Sequence, residues 1–269
     1  QLDDVHAIAL GMIGGRAGGL IALAGERGAG KTTWLLAMRR RLADSAPCHL
    51  HSFENRDPSV AGVCAALCGL LDIEPTTDPD ALIERMQALP PRVVLLDMVQ
   101  NAMRRSVGGL AGHEALVRIA QATVGNILWV LSYAYWPFEY LRRTQPGRDV
   151  YDRVVMLRGW SEAQIGELID ARMAAAGFSA DYEQLMSNPS LPRPVTTRGA
   201  TAADDFERGA DRYHRLVWDY ADGNPRAALH FYQLSLVWVQ GNEVRVRLFP
   251  TPSLEDLETF ENQTRSMLA

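Results

Sequence analysis

Eight consecutive residues, Gly25-Glu26-Arg27-Gly28-Ala29-Gly30-Lys31-Thr32, fit the pattern G-x-x-x-x-G-K-[ST] at every fixed position. The residue types suit one chemistry, the holding of phosphate. Glycines let the backbone curl so that successive N–H groups turn inward towards phosphate oxygens. Thr33 continues into a helix whose N-terminus adds a partial positive charge. Lys31 has the reach for β and γ phosphates, and the Thr32 hydroxyl can ligate Mg²⁺.

Such a loop needs an acidic partner for the metal. Pro90-Pro-Arg-Val-Val-Leu-Leu-Asp97 supplies one, a short apolar run ending in a carboxylate. On a buried strand, Asp97 would arrive beside the phosphate loop at the sheet's C-terminal edge. The bland alternative is an Asp that only caps the next turn. The position after it is Met98, which cannot take a proton. The next polar side chains are Gln100 and Asn101, and either could orient a water without being a strong base. Glu26 and Glu54 are the carboxylates that could compensate. A second apolar run, Ile127-Leu-Trp-Val-Leu-Ser132, ends in a hydroxyl that is either a γ-phosphate sensor or an ordinary turn residue. Arg142 and Arg143 close a short helix, where they either serve a neighbouring subunit's nucleotide or offset the helix dipole.

The elements that must position these groups alternate. Strands are expected at 20–24, 48–53, 92–96, 127–132 and 153–157, and helices at 31–43, 58–71, 79–88, 110–124 and 137–143. That order predicts an α/β fold, a P-loop NTPase parallel sheet with helices on both faces. After Trp160 the pattern turns helical. Ser161-Glu-Ala-Gln164 reads as a capping box, followed by the stripe Ile165, Leu168, Ile169, Met173 and Ala176 and a C-cap at Gly177. Turn formers dominate 187–203, and a long helix is expected at 206–222. In Gly223-Asn224-Pro225-Arg226, Gly223 ends one helix, Asn224 caps the next and Pro225 takes its first position. The following helix is expected to carry Ala228, Phe231, Tyr232, Ser235, Leu236 and Val239 on its face. Pro225 and Arg226 then form either a simple helix junction or a lid over the nucleotide. The alternation of Val244, Val246 and Leu248 with Arg245 and Arg247 suits a half-exposed strand. These signals predict a nucleotide-binding domain at 1–158, a small helical lid domain at 159–240, and the start of a truncated, winged-helix-like region at 241–269. The first and last residues suggest a piece of a longer protein.

The bulk composition sets bounds. With 269 residues and 47% hydrophobic content, the chain can bury a large core and a smaller second one. A net charge of −5 gives no global basic field for nucleic acid. Its dense basic clusters are Arg39-Arg40-Arg41 and Arg104-Arg105. No apolar run approaches the roughly 18 residues of a membrane span. Three cysteines without framework spacing point to a reducing setting, either the cytoplasm or the cytosolic part of a membrane-tethered protein. Cys64 and Cys68 share a helix face as buried small hydrophobes, since no second pair completes a metal site.

Taken together, the loop at 25–32, the strand ending at Asp97, the polar Ser132 and the Gly-Asn-Pro-Arg at 223–226 resemble AAA+ ATPases. The resemblance covers roughly residues 10–240. It is nearest the branch of origin-recognition proteins and the signal-transduction ATPases called STAND. Gly223-Asn224-Pro225 matches the Gly-x-Pro of the STAND lid, and Arg226 matches the arginine expected of an AAA+ lid. The resemblance implies ATP and Mg²⁺, a lid that moves with nucleotide state, and self-association or a protein partner. Met98 departs from it, because an acidic residue is usual there, so weak or partner-dependent hydrolysis is expected. Two other readings stay open: a DNA-directed ATPase that helps transposition or replication, and an ATP-binding scaffold without turnover.

Overall fold

The computed structural model describes residues 2–15, 18–54, 57–104, 106–144, 150–186 and 202–250, with the side chains of 13 and 202–208 left aside. The turn-rich stretch 187–201, Arg105 and the tail from 251 lie outside those residues. Two compact units divide between Arg158 and Gly159.

In the first unit the chain runs α1 (Leu2–Ile13), β1 (Gly19–Gly25), α2 (Lys31–Leu42), β2 (Cys48–Ser52), α3 (Val60–Leu71), α4 (Pro79–Gln87), β3 (Arg92–Asp97), α5 (Ala111–Thr123), β4 (Ile127–Ala134), α6 (Tyr135–Thr144) and β5 (Arg153–Leu157). The five strands form one sheet in the order β2-β3-β4-β1-β5, and every pairing is parallel. Strand periodicity sorts the apolar residues onto its two faces. Leu20, Ala22, Val94, Leu96, Trp129 and Leu131 pack with Val63, Leu67, Leu82 and Leu116 of α3, α4 and α5. Ile21, Leu23, Val93, Leu95 and Val130 pack with Leu35 and Met38 of α2 and with Val5, Ala9 and Met12 of α1. Cys64 and Cys68 are buried on α3, as their spacing predicts.

The sequence reading left α1 unassigned. Its four- and three-residue spacing of Val5, Ala9 and Met12 is a core stripe, and ion pairs from Arg41 to Asp3 and from Arg153 to Asp4 fasten it. Strand β4 also runs two residues past Ser132, to pair with Ala24 and Gly25 of β1. Ser132 therefore lies inside the strand and not at its end.

The second unit holds α7 (Glu162–Ala176), β6 (Ser179–Asp181), α8 (Glu183–Met186), α9 (Ala202–Ala221), α10 (Pro225–Ser235), β7 (Leu236–Gln240) and β8 (Glu243–Val246). The capping box at Ser161 and Gln164 is formed, and Gly177 caps α7 in a left-handed conformation, φ 73°. Helix α10 stops at Ser235. Leu236 and Val239, expected on it, belong to a strand that pairs antiparallel with β8, which in turn pairs parallel with β6. The run Leu236-Val-Trp-Val favours a pleated strand once a partner is present, and Gly241, φ 53°, makes the turn. Val246 and Phe249 join Ile165, Ile169, Tyr213 and Tyr232 in this unit's core.

Candidate phosphate and metal site

Strand β1 carries the chain to the C-terminal edge of the sheet and releases it at Gly25. A Cβ there would stand 2.8 Å from the carbonyl oxygen of Leu157, so the approach to β5 needs glycine. Gly28 (φ 93°) and Gly30 (φ 95°) take left-handed backbone that a side chain would strain. Ala29 is buried beneath the turn. Gly30 starts α2, and its carbonyl accepts from Trp34 N at 2.8 Å to close the first helical turn. The loop of the sequence motif is thus a built turn between a buried strand and a helix N-terminus. Glu26, Arg27, Thr32 and Thr33 are exposed around it.

Lys31 folds back over this turn. Its ammonium donates to the carbonyl oxygens of Gly25 at 2.8 Å and Glu26 at 2.7 Å. Burial lowers its pKa, and the neighbouring charges of Asp97 and Glu26 work against that shift.

The parallel register sets Asp97 at the end of β3 beside Ser132 of β4, since Leu96 pairs with Leu131. Asp97 is 4% exposed, and three donors fix its carboxylate. Thr32 Oγ1 donates to Oδ2 at 2.5 Å. Ser132 Oγ donates to Oδ1 at 2.8 Å, and Met98 N donates to the same oxygen at 2.9 Å. Three residues 35 and 65 positions apart in sequence thereby form one polar cluster at the foot of the loop. A hydroxyl and a carboxylate in contact are hard oxygen donors of the kind Mg²⁺ uses. Among the described residues no group of three or more His, Cys, Asp and Glu could hold a metal by itself. That donor set fits an ion that takes one or two protein oxygens and fills its shell with water and phosphate.

After Asp97, Met98 adopts left-handed backbone, φ 54°, and a single 3₁₀ turn spans Val99–Ala102. The amides on this turn bond to backbone far away in sequence. Gln100 Oε1 accepts from Ala134 N at 3.2 Å, and Asn101 Nδ2 donates to the Phe53 carbonyl at 2.6 Å. The segment is hooked to the ends of β4 and β2, a role the sequence did not announce. Gln100 and Asn101 also line a cavity of about 460 Å³ with Met103, Arg104, Leu110, Pro137 and Tyr140. Glu54 is exposed just past β2.

Arg142 and Arg143 are exposed at the end of α6, where both pair with Glu139, at 3.1 Å and 3.9 Å. Pro225 and Arg226 belong to the second unit. Asn224 caps α10 there, its Oδ1 accepting from Arg226 N at 3.1 Å and Ala227 N at 3.3 Å. Pro225 is buried and Arg226 is exposed. Gly223, φ 65°, is required as well, because a Cβ would meet the Trp160 carbonyl at 2.5 Å.

No family model and no curated protein matches this sequence. Solved structures do match in fold. The ORC1 protein of Aeropyrum pernix, solved in complex with DNA, shares 15% identity over 87% of this chain and 58% of its own, with a TM-score of 0.53. The ORC2 protein of Aeropyrum pernix, solved as ADPNP-ADP complexes, shares 14% over 84% of this chain and 63% of its own, at 0.50. PCH-2 of C. elegans shares 15% over 91% and 64%, at 0.51. This chain therefore spans about three fifths of the length of these proteins. What it shares with them is the fold, a parallel sheet with helices on both faces.

Proposed function

We propose that this chain binds MgATP in the first unit and uses it, with weak or partner-dependent hydrolysis, to drive a conformational switch or an assembly step. The observation that carries this reading is the contact of Thr32 with Asp97 at 2.5 Å, directly below a glycine turn that Lys31 spans. The backbone from Gly25 to Thr33 would cradle the phosphates. Lys31 would exchange its two carbonyl acceptors for β and γ phosphate oxygens, which are charged and so form stronger bonds with an ammonium. Thr32 and Asp97 would hold Mg²⁺, which would supply neutralisation of phosphate charge. Met98 offers no base, and the Gln100 and Asn101 amides can orient a water but not deprotonate it. Slow turnover follows from that set. In this reading Arg226 answers to the terminal phosphate and moves the second unit, where Pro225 fixes the start of its helix. Self-association or a protein partner would supply the rest of the switch. Three unpaired cysteines fit a cytoplasmic setting.

Lys31→Ala tests the reading. Nucleotide affinity should fall at least about 100-fold while the melting temperature stays put, because an ion–phosphate bond is lost at an exposed turn. Equal affinity in variant and parent, measured by equilibrium dialysis, sinks it.

The DNA-directed reading draws on the likeness in fold to an ORC1 protein solved in complex with DNA. Arg39, Arg40 and Arg41 are exposed, although Arg41 already pairs with Asp3. Absence of a mobility shift at low salt would dispose of it.

A further inference from the structure

Ser132 is fully buried, yet it carries a hydroxyl at the centre of the polar cluster. A hydroxyl has one proton to donate, and a phosphate oxygen can only accept. The Ser132 proton is directed to Asp97 Oδ1 at 2.8 Å. To read a terminal phosphate, Ser132 would have to release a carboxylate that has little access to water to replace it. The backbone argues the same way. Met98 N donates to the same oxygen from a left-handed residue, so Oδ1 is held from two sides and Oδ2 is left turned to Thr32. Strand β4 continues past Ser132 to Ala134, whose N–H is bonded to Gln100.

We propose that Ser132 is a positioning residue for Asp97: it sets the carboxylate so that Oδ2 faces Thr32 and the metal, and it does not sense the γ phosphate. This inference rests on the MgATP reading above. Without the Ser132 hydroxyl the carboxylate keeps only the Met98 N–H on that side and gains freedom to rotate. The loss falls on the metal, whichever nucleotide is present.

The test uses the full chain and does not need turnover. Binding of labelled ATP and of labelled ADP is measured by equilibrium dialysis as Mg²⁺ is titrated, for the parent and Ser132→Ala. A hydrogen bond to a charged group leads us to expect about a tenfold rise in the Mg²⁺ needed for half-maximal binding. That rise should be alike for ATP and ADP, with metal-free affinities unchanged. A merely structural defect would lower the metal-free affinities too, and that result overturns the proposal. So does an unchanged Mg²⁺ requirement, whether or not the preference for ATP over ADP collapses. If Ser132→Ala does not fold, Ser132→Cys, which keeps the volume and only a weak donor, should give a smaller rise in the same sense, and no rise overturns the proposal. Failure of the parent itself to bind either nucleotide would refute the MgATP reading instead.

Discussion

Each unit holds a cluster of hydroxyl groups, set in different surroundings. In the first, Thr32, Asp97 and Ser132 meet at the C-terminal edge of a parallel sheet, below a turn whose Glu26, Arg27 and Thr33 are exposed. In the second, Tyr182 sits between Tyr232 Oη at 2.8 Å and His214 Nε2 at 3.2 Å, and Tyr213 donates to the Arg247 carbonyl at 3.0 Å, all within an aromatic core. The second cluster links aromatic hydroxyls to one another, to His214 and to backbone. Both the carboxylate and its placement separate the two: strand β3 ends with Asp97 at the foot of the exposed phosphate loop, whereas the hydroxyls of the second unit lie within an aromatic core.

That contrast can be broken by substitution. After Lys31→Ala, the largest effect is expected at Asp97→Ala, which should weaken Mg²⁺-dependent nucleotide binding about 100-fold, since it removes the acceptor shared by three donors. Dialysis with and without Mg²⁺ checks it, and a loss of the same size in both conditions would count against the metal role.

The next effect is on stability. His113 Nε2 lies 2.9 Å from Tyr133 Oη, while its Nδ1 is buried with no hydrogen-bond partner. Burial pushes the His113 pKa down to about 4. The native state holds the ring neutral and the unfolded chain takes up a proton near pH 6.5. His113 thus contributes stability that is complete above pH 6.5 and is lost as pH falls towards 4. Denaturant unfolding should show about 2 kcal/mol less stability at pH 5 than at pH 7 from this group. His113→Phe should flatten that slope, and an unchanged slope would reject the assignment.

Tyr182→Phe should cost about 1 kcal/mol of stability and leave nucleotide affinity where it was. A change in affinity would blur the division between the units. The smallest effect is expected from Arg226→Ala, about fivefold weaker binding of ATP with ADP unaffected. Equal losses for both nucleotides would remove Arg226 from any reading of the terminal phosphate.

Local signals made the first unit legible. The glycine motif, the apolar runs ending at Asp97 and Ser132, and the helix that follows Gly30 are each short and contiguous. The cap at Asn224 was readable for the same reason. What escaped depends on residues far apart in the chain. The spacing of Phe231, Tyr232, Ser235, Leu236 and Val239 is helical, and only pairing with β8 turns its second half into a strand. Helix α1 shows its stripe once the sheet face it covers is known. The bonds of Gln100 to Ala134 and of Asn101 to Phe53 span 34 and 48 positions, and nothing in the local sequence marks them. Ser132 was picked out by type, but the two further residues of β4 that enclose it were not.

The strand order has a consequence for synthesis. Of the five strands, β1 is made first, yet among the described residues its partners are β4 and β5, and Gly19 waits for Leu128. At ordinary translation rates the strand stays without a pairing strand for roughly 5 to 20 s, with only α1 and α2 made early enough to cover one of its faces. The phosphate loop hangs from the end of that strand, so it is written early and shaped late. A nascent chain stalled before β4 would carry every residue of the motif and could pair β2 with β3, but it would hold no strand beside β1 to curl the loop against.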